Sequence, residues 1–251
     1  PTGVGKTESA KALANYFFGA GQKLDPLIRL DMSEFQHPSQ IRNLIGVDVK
    51  NPGKLIRLAR EKPFSVLLLD EIEKANSAIF DALMTMLDEG MLVDAFGRIT
   101  DFHNAIIIMT TNLGVTSTSS IGFIEDEDVD YHSAIREFFR PEFYNRIDLI
   151  VTFKPLSNEV IRSIALKELS EISTREGIEN RGIKLHFSQR LIDFLATAGF
   201  NERLGARPLQ RVIEKYIVTE LAKFLLSNPK LKNISLQFDY LDSLVTVKLL
   251  N

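Results

Sequence analysis

The first residues, Pro1-Thr2-Gly3-Val4-Gly5-Lys6-Thr7-Glu8, suit one task, the binding of phosphate. A phosphate-binding loop reads Gly, four residues, Gly, Lys, then Ser or Thr. Everything is present here except the first Gly, which would precede Pro1. In such a loop successive backbone N–H groups wrap the phosphates, and Gly3 and Gly5 let the backbone approach closely. Lys6 neutralises β/γ charge, Thr7 offers a hydroxyl to Mg2+, and the helix that follows aims its N-terminus at the anion. The plainer alternative is a glycine-rich turn ahead of a helix. A second run, Val66-Leu67-Leu68-Leu69-Asp70-Glu71, is apolar and ends in two carboxylates. At the end of a strand Asp70 would hold Mg2+ through water, and Glu71 would polarise the attacking water as general base. A surface acidic pair would look the same in isolation, but coupled to a phosphate loop that reading loses its weight. A third apolar run leads to Thr110-Thr111-Asn112. An amide there suits orientation of water against a γ-phosphate, although Asn after a strand also serves as a turn residue.

These groups need a scaffold that brings strand ends together. Residues 26–31, 64–70 and 105–110 read as buried strands, short and rich in Leu or β-branched residues, and 147–153 reads as a fourth. Helical periodicity occupies 6–18, 54–61 and 78–88 between them. Strands alternating with helices predict an α/β fold, a parallel sheet with flanking helices. A phosphate loop follows a central strand, and none precedes residue 1. A sheet without its middle strand would bury unpaired backbone groups, so the expectation is a window cut from a longer chain. Past Pro155 the pattern becomes mostly helical, over 158–176, from the N-cap Ser188 to about 198, and over 208–227. Residues 234–240 and 244–249 alternate about a short polar turn and predict a β-hairpin. The expected organisation is a larger domain over 1–154 and a smaller helical lid domain over 155–251, ending in that hairpin. The most linker-like segment is 114–130, rich in Ser, Thr and acidic residues.

Composition narrows the classes. The chain has 251 residues, 45% hydrophobic and 25% charged, as in an ordinary globular protein. Thirty basic against 33 acidic residues leave a net charge of −3, which argues against a chain-wide surface for nucleic acid or anionic membrane. The absence of Cys excludes disulfides and thiolate zinc sites and permits a reducing compartment. His37, His103, His132 and His186 lack metal-ligand spacing and read as structural or surface residues. No apolar stretch is long enough to span a bilayer and no secretory leader opens the run, so a cytoplasmic protein is expected.

Taken together and in order, the loop at 1–8, the strand and acidic pair continuing to Lys74, the run 107–112, the segment Phe139–Asp148 and the segment Gly205–Leu209 resemble the second ATPase module of the Clp AAA+ unfoldases and disaggregases with its C-terminal small domain. The likeness covers essentially the whole chain. It implies ATP and Mg2+ as cofactors, a ring, most simply a hexamer, and a polypeptide substrate to be remodelled. Residue by residue, it implies an arginine finger at Arg146, reaching the nucleotide of a neighbouring subunit. It implies a sensor arginine at Arg207, a polar sensor at Asn112, and the family segment after the second strand at Asp31–Phe35. From the sequence alone, Arg146 is as readily an ion-pair partner of Glu142 or Asp148. Two departures matter. The family's first pore loop carries an aromatic between glycines, whereas Val47, Val49 and Lys50 stand in the shorter segment here. Ile121-Gly122-Phe123 lies where protease-coupled Clp ATPases carry a tripeptide for docking on the ClpP peptidase; packing on its own domain is the alternative. Residues 88–98 resemble the second pore-loop region. Three roles therefore stay open: a remodelling chaperone, the ATPase partner of a ClpP-type peptidase, and an ATP-dependent assembly switch that threads nothing.

Overall fold

The computed structural model describes residues 2–19, 24–46, 52–94, 96–114, 131–201 and 204–250. Contacts divide the chain into Gly5–Thr152 and a second unit of Pro1–Val4 with Phe153–Asn251.

In the larger unit, α1 (Lys6–Phe18) precedes β1 (Leu27–Asp31), a short helix α2 (Ile41–Ile45) and α3 (Lys54–Glu61). Next come β2 (Ser65–Asp70), α4 (Ser77–Glu89), the hairpin β3 (Met91–Val93) and β4 (Ile99–Asp101), and β5 (Ala105–Met109). Helices α5 (Tyr131–Phe138) and α6 (Pro141–Tyr144) complete it. The sheet has the order β1-β2-β5 and is parallel throughout, so the expected α/β fold is present. β2 is apolar and buried at every position, as a strand covered on both faces must be. On one face Ile28, Leu30, Leu67 and Leu69 join Leu55 and Ile56 of α3 and Leu83 and Met86 of α4 in a single core. On the other, α1 packs on β1 and β2, with Ala10 and Ala14 buried at 1%. The bounds of α1 and α3 are those the periodicity predicts, and α4 is one residue longer at each end.

Residues 147–153 correct an expectation: they are irregular, not a fourth strand. A strand needs a partner's N–H and C=O groups. Among the described residues 147–153 pair with no strand, and Leu149 and Val151 stay 77% and 64% exposed. Among the described residues β5 pairs only with β2, and its residues are half-buried.

The second unit carries α7 (Asn158–Ser173), α8 (Glu176–Glu179), β6 (Lys184–Phe187), α9 (Gln189–Ala198), α10 (Arg207–Ile213), α11 (Thr219–Ser227), β7 (Ser235–Leu241) and β8 (Leu244–Leu250). Ser157 and Ser188 cap α7 and α9, each hydroxyl accepting a backbone N–H from the first turn. The expected helix over 158–176 breaks at Thr174, and 176–179 form α8. The expected helix over 208–227 is α10 and α11, joined by a π-helical turn at Glu214–Val218. Leu209, Ile213, Ile217 and Leu221, four residues apart, carry one buried stripe through it. The hairpin β7–β8 forms as predicted, and β6, which the sequence reading misses, pairs parallel with β7. Residues 1–4 group with this unit, where the Ala206 N–H donates to the Gly3 carbonyl at 3.1 Å.

Candidate active site

The site of the larger unit assembles where parallel strands end. β2 delivers Asp70 and β5 leads through Thr110 and Thr111 to Asn112, while α1 begins at Lys6. Gly5, the residue before α1, has φ 99°, a left-handed conformation that glycine adopts without a Cβ penalty. Thr7 Oγ1 donates to Asp70 Oδ2 at 3.3 Å. Lys6 Nζ donates to the Thr111 carbonyl and to Asn112 Oδ1, both at 2.6 Å. Three motifs far apart in sequence therefore meet in one cluster.

Thr110 binds the two strand ends to each other. Its hydroxyl donates to Asp70 Oδ1 and accepts the Glu71 N–H at 3.1 Å. Its backbone continues the zipper, accepting the Ile72 N–H at 3.0 Å. Asp70 is left 8% exposed with both oxygens in use. Glu71 has φ 57° and ψ 51°, a left-handed backbone that costs a non-glycine residue about 1–2 kcal/mol and tends to mark functional positions. Its carboxylate pairs with Lys74, whose ammonium is held above its usual pKa by that hydrogen bond. Glu73 supports the neighbouring strand end by accepting the Asn112 N–H at 3.1 Å, while its second oxygen is buried without a hydrogen-bond partner among the described residues. Asp31, the last residue of β1, accepts from the Ser33 hydroxyl and backbone N–H, which hold its carboxyl below the usual range.

One residue in this cluster has no counterpart in the sequence reading. Arg29 of β1 points its Nη2 and Nε at Asp70 Oδ2, at 2.6 and 3.1 Å. Its sequence signal is a charge set between Ile28 and Leu30 in the middle of β1. Thr110 had a fainter one, a hydroxyl at the strand's end.

The remaining candidates distribute as follows. Glu8 lies on the surface of α1, paired with Lys11 at 2.6 Å. Arg146 follows α6 and pairs with Asp88 of α4, in place of Glu142 or Asp148, because α6 packs against α4 through aromatic rings. Phe80 meets Phe139 and Phe143 edge-on at 5.6 and 5.3 Å, and the latter two stack at 4.9 Å. A cleft of about 320 Å3 lies beside these rings. Arg207 opens α10 in the second unit. Within residues 88–98, Asp94 folds the turn between β3 and β4. Burial would push its carboxyl up, but the N–H groups of Arg98 and Phe96 and the Arg98 guanidinium hold it at about 2. Pro1, the pore segment with Val47, Val49 and Lys50, and the tripeptide Ile121-Gly122-Phe123 lie outside the described residues.

A hydroxyl and a carboxylate oxygen are hard donors, and one or two such ligands beside phosphate oxygens are what Mg2+ accepts, so Thr7 and Asp70 fit that ion. A three-stranded parallel array with a phosphate loop feeding α1, a strand-end acidic pair and Asn112 beyond the neighbouring strand defines a P-loop ATPase module. The chain belongs to the AAA family of ATPases: residues 1–150 match the AAA domain (Cdc48 subfamily), and residues 156–236 match the C-terminal D2-small domain of ClpB protein. It is similar to the chaperone protein ClpB of Vibrio vulnificus strain YJ016, 39% identical over 94% of this chain and 28% of that protein. The chaperone protein ClpB of Bdellovibrio bacteriovorus is 42% identical over 90% of this chain and 27% of that protein. The chloroplastic chaperone protein ClpB2 of Oryza sativa is 40% identical over 90% and 24%. The chain thus spans about a quarter of the length of these relatives. Among the described residues no helix is long and apolar enough to cross a membrane.

Proposed function

We propose that this chain is the ATP-hydrolysing module of a ring-forming protein-remodelling chaperone. The observation that carries the chemistry is the convergence of Lys6, Thr7, Asp70, Glu71 and Asn112 on adjoining strand and helix ends. The names of the relatives carry the cellular role.

In this reading the N–H groups of residues 3–7 cradle the phosphates. Lys6 exchanges Asn112 Oδ1 for a phosphate oxygen, which frees the Asn112 amide to orient water. Glu71 leaves Lys74 and accepts the proton of that water as its oxygen attacks the γ-phosphorus; the bond to the ADP oxygen breaks in line. Thr7 and Asp70 hold Mg2+, which when bound neutralises charge on the β- and γ-phosphates. Arg146 of a neighbouring copy and Arg207 of the second unit stabilise the same developing charge, so turnover depends on assembly. Val47, Val49 and Lys50 supply little gripping area in place of an aromatic ring. This module therefore pulls weakly on substrate and relies on other parts of a longer protein for force.

Glu71→Gln tests the core of the reading. The amide keeps the shape but accepts no proton, so ATP stays bound while hydrolysis slows by roughly 10²–10⁴-fold. Calorimetry for binding and phosphate release for turnover separate the two. Normal phosphate release would make Glu71 a bystander and overturn the assignment.

A further inference from the structure

Asp70 is served by donors from three elements, and they divide its oxygens unequally. Oδ1 takes the Thr110 hydroxyl. Oδ2 takes Thr7 at 3.3 Å and two nitrogens of Arg29 at 2.6 and 3.1 Å. The strand register explains how Arg29 arrives there. Asp31 stands opposite Asp70, and Arg29, two residues earlier, lies on the same face with a side chain long enough to reach forward. Its neighbours Ile28 and Leu30 turn to the buried face of the strand, while half of the Arg29 side chain faces solvent. A surface ion pair of this exposure contributes little to stability, about 0–1 kcal/mol. Its stabilising role is slight, but its electrostatic one is not. Arg29 sets a full positive charge directly against Asp70 Oδ2, the oxygen that Thr7 also faces.

We infer that Arg29 sets the metal demand of this site: its guanidinium competes with Mg2+ for Asp70 Oδ2, so that the divalent ion is accepted only together with nucleotide phosphates. The inference rests on the nucleotide site proposed above and adds a residue to it. A dication arriving alone meets a carboxylate oxygen already engaged by a guanidinium. A dication arriving on a polyphosphate brings the negative charge that both Lys6 and Arg29 require, and Arg29 then yields the oxygen or shares it. Coulomb's law gives the sign: removing a fixed positive charge a few ångströms from the metal position favours the metal, and partial solvent exposure keeps the effect moderate.

The test is binding of a fluorescent ADP to the full protein as free Mg2+ is titrated, with wild type, Arg29→Met and Arg29→Lys side by side. Methionine keeps the aliphatic stem without charge, and circular dichroism checks the fold. The free Mg2+ needed for half-maximal binding is expected to fall roughly threefold to tenfold in Arg29→Met. Nucleotide binding in excess chelator should weaken in the same variant, with Arg29→Lys lying between it and wild type. An unchanged or higher Mg2+ midpoint in Arg29→Met, with wild type still metal-dependent, overturns the inference alone and leaves the nucleotide site standing. Wild-type binding that ignores Mg2+ overturns the metal role of Thr7 and Asp70 and this inference with it.

Discussion

Thr110 shows how one hydroxyl can govern two groups to which the proposed function assigns chemistry. It donates to Asp70 and accepts from the Glu71 backbone, so it fixes both the carboxylate proposed to hold the metal and the backbone that presents the proposed base. Thr110→Val keeps the shape and removes both bonds. Loss of stability of about 1–3 kcal/mol is expected from the buried groups left unpaired. Turnover should fall about tenfold to hundredfold, the usual effect of removing a partner that orients a metal ligand. Thr110→Ser should restore most of each. Urea denaturation and steady-state phosphate release measure them separately, and a valine variant with undiminished turnover would reduce Thr110 to a packing residue. The sequence displays the site wherever chemistry lies in a contiguous run, as at 3–7 and 66–71. It does not display Thr110 or Arg29 in their roles, because those roles arise from strand register. Only the pairing of Asp31 with Asp70 and of Leu69 with Met109 brings the hydroxyl and the guanidinium to one carboxylate.

At the scale of elements, the β3–β4 hairpin depends on a single buried acid. Asp94 accepts N–H groups from Phe96 and Arg98, both at 3.0 Å, and pairs with the side chains of Arg98 and Arg60. Its folded pKa of about 2 lies below the 3.8 of an ordinary aspartate, so its stabilisation is complete above about pH 4 and is lost as pH falls through 2. Asp94→Asn lacks that contribution at any pH. The gap in melting temperature between wild type and variant is therefore expected to be open at pH 7, to narrow below pH 4 and to close near pH 2. A gap that stays constant through acid would show that the turn is held by its hydrogen-bond geometry and not by charge. Other elements differ in how openly the sequence announces them. α1 and α3 carry complete local signals in their periodicity and flanking glycines. Residues 147–153 carry an equally apolar run, yet form no strand, since pairing is decided by neighbours and not by composition. β6 fails in the opposite sense: its four residues are too few to show alternation, and its pairing with β7 is about fifty residues distant in sequence.

For the whole molecule, the role proposed for Arg146 would make assembly the control point. Its ion pair with Asp88 is partly exposed on both sides and contributes about 0–1 kcal/mol, so little would oppose the proposed transfer to a neighbour's phosphate. Arg146→Ala is expected to leave nucleotide affinity intact and to lower turnover of the assembled protein by roughly 10³-fold or more. Mixing it with Glu71→Gln subunits should recover part of the activity, because some interfaces then join an intact base to an intact arginine. Turnover that is insensitive to protein concentration and to Arg146→Ala would place catalysis within single chains. The left-handed backbone of Glu71 bears on the history of such a molecule. Glycine would relieve the strain there, so a lineage released from the need to hydrolyse ATP would gain fold stability by discarding its carboxylate. Under the proposed function, selection for folding and selection for chemistry would thus act against each other at one position.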